Sequence, residues 1–132
     1  MSSTIASSPK TYLLILKNTG AETLAQLTDA GRAGLLTQWN AWYDQLAKEG
    51  KAFEGQPLME ERRVVSGRGG SRVVDGPYAE ATEVVGGYIK LRARDLEEAT
   101  RLVQSHPMLA YGMAVEIREF KEHCHLGVVS RS

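Results

Sequence analysis

Residues 11–17 read TYLLILK, and from Tyr12 to Leu16 every side chain is apolar or aromatic. The run is too short for a buried helix and shows no 3.6-residue stripe, so it reads as a β-strand covered on both faces. Such a strand must lie inside a sheet, with neighbours on either edge and other elements packed against it. The rest of the chain has to supply them, and 132 residues are enough for one domain with a real core.

The clearest helix runs from Arg32 to Glu49. Leu35, Trp39, Trp42 and Leu46 mark one face, and Leu36, Tyr43 and Ala47 widen it. Gly50 stands where a left-handed residue closes a helix. A short helical turn is expected around Glu22–Leu27. KAFEGQPL reads as loop, because Pro57 argues against a regular central strand. ERRVVS (61–66) and SRVVD (71–75) flank GRGG and form a hairpin, since glycine accepts positive φ cheaply.

EVVGGYIKLRA (83–93) is a strand interrupted at Gly86–Gly87 by a β-bulge or a tight contact with the first helix. RDLEEATRLVQS (94–105) is a second helix with Asp95 as its N-cap. MAVEIREF alternates Met113, Val115 and Ile117 inward against Ala114, Glu116 and Arg118, the pattern of a strand with one buried face. The order is that of an α+β, ferredoxin-like β-α-β-β-α-β domain with an extra β-hairpin. It is expected over residues 11–120, after a flexible N-terminus (1–10) and before a tail (121–132).

Sixteen basic residues balance sixteen acidic ones, so no global field draws the molecule to nucleic acid or an anionic membrane. The arginines of the hairpin (Arg62, Arg63, Arg68, Arg72) read as a solvated face, and nucleic acid is not an expected partner. LLIL is the longest aliphatic run, and Cys124 is the single cysteine. A cytoplasmic, soluble protein without an internal disulfide is the expectation.

Asp75–Gly76–Pro77–Tyr78 carries turn chemistry: a carboxylate that caps nearby N–H groups, a permissive glycine and a proline with fixed φ. Asp75 is equally the candidate general base, with Tyr78, Glu83 and His106 as assisting catalytic groups. Glu80 and Glu83 can split their pKa values as a pair, or stand as solvated charges. Trp39 and Tyr88, with Glu80, are candidate ligand contacts; Trp39, Trp42, Tyr43 and Tyr88 offer a stacking wall or serve as core. Gly67–Ser71 lacks the spacing and the following helix of a phosphate loop. His123–Cys124–His125 has metal-ligand chemistry, but alternate residues of an extended segment point apart, and no metal site is expected.

VVDGPYAEATEVVGGYIKL, followed by DLEEATRLV, HP and VEIR, resembles the YCII-related family with its D-G-P-F motif. The W-x-x-W helix ending LAKEG, then GQPL and VVSGRGG, extend the likeness over roughly residues 11 to 119. The resemblance implies a ferredoxin-like protomer of the dimeric α/β-barrel type, with two sheets packed face to face in a homodimer. It implies a cofactor-independent acid/base enzyme, lyase- or isomerase-like, acting on a small aromatic or lactone-like molecule. Alternatively it implies a non-catalytic ligand-binding or regulatory accessory protein linked to sigma-factor signalling. Tyr78 replaces the motif's usual Phe, and Thr82 stands at a commonly basic position. A His–Asp pair with its histidine near the first helix has no counterpart, since no histidine precedes His106.

Overall fold

The computed structural model describes residues 8–18, 25–76, 84–121 and 126. The TYLLILK run forms most of β1 (Lys10–Asn18). It is followed by α1 (Asp29–Lys48), β2 (Ala52–Pro57), β3 (Arg62–Ser66), β4 (Arg72–Gly76), β5 (Val84–Ala93), α2 (Leu96–Gln104), a 3₁₀ turn (Pro107–Tyr111) and β6 (Met113–Glu119). The main sheet has the order β2-β5-β1-β6 with every pairing antiparallel, and β3 and β4 form a separate hairpin. Taking β1, β2, β5 and β6 with the two helices, this is the ferredoxin-like β-α-β-β-α-β arrangement with an extra hairpin.

β1 is central, but its two faces differ. Tyr12, Leu14 and Leu16 are buried under the helices, whereas Thr11, Leu13, Ile15 and Lys17 are half-buried. The expectation of cover on both faces is therefore met on one face within this chain. The other face carries Leu13 and Ile15 among ion pairs, Lys17 with Glu116 at 2.7 Å and Lys90 with Glu54 at 3.2 Å. Arg92 lies over the Phe53 ring there, 4.1 Å from its centroid.

On the helix side, Leu14 and Leu91 are fully enclosed, with Leu35 and Leu46 of α1 and Ala99 and Val103 of α2 in the same cluster. Each such leucine stabilises the fold by about 1.5–3 kcal/mol. α1 begins three residues earlier than the stripe predicts, because Thr28 Oγ1 accepts from the Gly31 N–H at 3.0 Å and caps the helix. It ends as expected: Gly50 takes φ +76°, its N–H donates to Ala47 O, and the Lys51 N–H donates to Leu46 O. That is a Schellman closure. Asp95 caps α2 by accepting from the Glu98 N–H at 2.9 Å, while Glu98 Oε1 accepts from the Arg94 N–H at 2.7 Å.

Residues 52–57 correct the loop expectation. They form β2, an edge strand beside β5, and Pro57 closes it at the sheet's rim. An edge strand needs ladder hydrogen bonds on one side only, which is where proline is tolerated. The interruption at Gly86–Gly87 is a β-bulge: Leu16 faces Gly87 and Lys17 faces Val85, leaving Gly86 as the extra residue. The close neighbour is β2 and not the first helix. A Cβ on Gly87 would lie 2.9 Å from Gln56 O and 3.2 Å from Pro57 Cα. Among the described residues no helix is long and apolar enough to cross a membrane. The turn expected around Glu22–Leu27 begins outside the described residues, as do most of the N-terminus and tail.

Candidate small-molecule site

α1 presents two adjacent stripes. Leu35 and Leu46 enter the core, while Leu36, Trp39, Asn40 and Tyr43 face a cleft of about 530 Å³. Spacings of three and four residues put these side chains on one helix face. The opposite wall is Gly55, Gln56 and Pro57 of β2 and Gly86 to Ile89 of β5, with Leu16 and Met108 also lining the space. Much of that wall is bare backbone. A Cβ on Gly55 would meet Ile89 Cγ1 at 3.2 Å, Tyr88 O at 3.3 Å and Tyr43 Cε2 at 3.4 Å. The glycines thus leave room beneath the helix, and the room is predominantly apolar.

Behind Trp39 and Met108 lies His106, which is 3% exposed. Its Nδ1 accepts from the Met108 N–H at 3.0 Å and so caps the 3₁₀ turn. Trp39 meets the ring edge-on with centroids 4.6 Å apart, and Trp42 lies tilted at 4.5 Å. The Trp42 indole N–H donates to Leu102 O at 3.1 Å and to Ser105 Oγ at 3.0 Å, tying α1 to the end of α2. Burial pushes the imidazole down from 6.5 to about 4, so it is neutral at physiological pH. With Nδ1 accepting, the proton sits on Nε2, which is buried without a hydrogen-bond partner among the described residues.

On the sheet's open face, the Tyr88 hydroxyl donates to Glu54 Oε2 at 2.6 Å, and Glu54 Oε1 pairs with Lys90. The hydrogen bond from Tyr88, then that from Lys90, holds the Glu54 carboxyl below its usual range; the same bond to Glu54 raises the Tyr88 phenol.

The sequence candidates are distributed unevenly. Trp39 lines the cleft from α1, whereas Tyr88 borders it through its backbone and turns its ring to the sheet's open face with Ile15. Asp75 stands on the exposed hairpin, where Arg63 Nε donates to Oδ1 at 2.6 Å from directly across the strands, and it is not among the cleft-lining residues. His106 is behind the wall, not in it. Tyr78, Glu80, Glu83 and the His123–Cys124–His125 stretch lie outside the described residues. Among the described residues no group of three or more His, Cys, Asp or Glu is placed to hold a metal ion.

Sequence reasoning did not single out Leu36, Asn40, Gly55, Gln56 or Met108 as cleft residues. The available signal was the second stripe on α1 facing glycines in two separate strands.

Residues 11–121 match the family model of the YCII-related domain. Among solved structures, the chain is similar in fold to 5-chloro-2-hydroxyhydroquinone dehydrochlorinase (TftG) from Burkholderia phenoliruptrix AC1100, in complex with 2,5-dihydroxybenzoquinone. The TM-score is 0.50 at 15% identity, covering 89% of this chain and 98% of that one. No curated protein matches the chain.

Proposed function

The chain belongs to the YCII-related family, and from that premise we propose that it binds a small, planar, largely apolar molecule in the cleft under α1. The observation that carries this reading is the cleft itself: about 530 Å³, walled by Leu36, Trp39 and Tyr43 on one side and glycine backbone on the other. Volumes of this order and linings of this kind are typical of small-molecule sites. Flat walls of indole, phenol and bare peptide favour ring-shaped ligands.

The test is a thermal-shift screen against small aromatic and lactone compounds, since a ligand that binds the folded state raises its melting temperature. Leu36 is 59% exposed, so Leu36→Glu places a charge at the mouth without disturbing the core. Wild type is expected to be stabilised by its ligand and the variant not. A hit that stabilises both equally would place binding elsewhere.

A second reading, lyase- or isomerase-like acid/base chemistry without a cofactor, is favoured by chain connectivity. β4, which carries Asp75, is joined by residues 77–83 to β5, the strand whose Gly86 to Ile89 form a cleft wall. In this reading Asp75 is the base, Tyr78 and Glu83 assist, and Glu80 contacts the ligand. Buried and neutral His106 supports the wall. Hydroxylated quinones and hydroquinones, of the kind named for the dehydrochlorinase and its complex, are the first substrates to try. Loss of turnover in Asp75→Asn would support catalysis; ligand binding without turnover of any bound compound would favour the accessory-protein role.

The protomer is further read as half of a cytoplasmic homodimer, with residues 11–120 as the working domain. The half-buried Leu13 and Ile15 on the sheet's open face support a sheet-to-sheet partner. Sedimentation equilibrium at low micromolar concentration decides between one copy and two.

A further inference from the structure

We infer that the cleft selects uncharged ligands and rejects the corresponding carboxylates; this rests on the cleft being the binding site. None of the described lining residues is of a charged type, and the polar side chains that α1 brings to the cleft are the Asn40 carboxamide and the Tyr43 phenol. Gln56 and Tyr88, whose side chains share the open face with Ile15, border the cleft through their backbone.

The Tyr88–Glu54–Lys90 cluster lies on the opposite face of the sheet, beside Leu13 and Ile15, and brings no charge to the cleft. An anion entering the cleft would surrender its hydration and meet no cationic side chain on the described walls, and a cation would meet no carboxylate there. A buried charge without a partner is strongly disfavoured, whereas a neutral carbonyl, hydroxyl or amide loses far less. A carboxamide both donates and accepts, so Asn40 can meet any of those neutral groups.

The experiment is isothermal titration of the full chain at pH 7.5 with one ring system in matched forms: naphthalene-2-carboxamide, 2-naphthoate and 2-naphthylmethylammonium. The amide is expected to bind at least about tenfold more tightly than either ion. In Asn40→Lys, at an exposed helix position, the naphthoate is expected to gain on the amide by about tenfold, which locates the discrimination in this cleft.

Wild-type naphthoate binding equal to or tighter than the amide overturns the charge rule and leaves the binding site standing. Binding of none of the three, in a protein whose melting curve is intact, overturns the site and the rule together. A preference unchanged by Asn40→Lys overturns the assignment of the rule to this cleft.

Discussion

The backbone N–H of Met108 donates to Nδ1 of His106 at 3.0 Å, so the ring that caps the 3₁₀ turn also fixes Met108, a residue lining the cleft. The same ring abuts Trp39, which comes to the cleft from α1. Two walls from distant parts of the chain therefore share one buried support. Its protonation has a definite sign. The folded value is depressed, from 6.5 to about 4, so the unfolded chain takes up a proton first as pH falls. Stability is full above the unfolded value and declines from about pH 6.5 downward, levelling off below about 4. Between pH 7.5 and 5 the expected loss is about 2 kcal/mol from this residue. Urea denaturation at the two pH values reads it, and His106→Gln should show a shallower fall than wild type.

Two glycine substitutions are expected to have opposite signs. Gly87→Ala sets a methyl 2.9 Å from the Gln56 carbonyl oxygen and must push β2 away from β5, at a cost of about 1–3 kcal/mol. Gly34, in the second turn of α1, has nothing within 4 Å of its added Cβ, and Gly34→Ala should stabilise by about 0.5–1 kcal/mol. Calorimetric melting of the two variants against wild type checks both directions.

Asp95→Ala removes the acceptor for the Glu98 N–H at the start of α2. The helix spans nine residues, so a lost cap is a large fraction of its local stability. A destabilisation of about 1 kcal/mol is expected in chemical denaturation, with Asp95→Asn recovering most of it.

Asp75→Asn should leave stability within about 0.5 kcal/mol of wild type, because the Arg63–Asp75 pair is exposed on both sides. Equal melting curves then make any change in turnover or ligand binding a statement about function alone.

The elements that were legible in the sequence owe their form to local chemistry. The stripe from Leu35 to Leu46, the Gly50 closure and the Asp95 cap each draw on residues within a few positions of one another, and each formed as read. β2 was hidden because Gly55 and Pro57 weaken any strand reading; its existence depends on β5 lying alongside, which is a long-range fact. The cleft was obscure for a related reason: one of its walls is made of side chains that are missing. His106 shows the limit most clearly. Its place beside Pro107 suggested a proton carrier near the sheet end, but its environment is set by two tryptophans more than sixty positions upstream.

That environment gives the molecule an optical property. Its two tryptophans both border one imidazole, and Trp39 alone of the two also borders the cleft. The indole emission of the protein therefore arises from a single spot, with one emitter at the cleft and the other close enough to exchange excitation with it. A ring bound in the cleft would change the combined emission of the pair. If the cleft binds a ligand as proposed, the native chain would report its occupancy without a label.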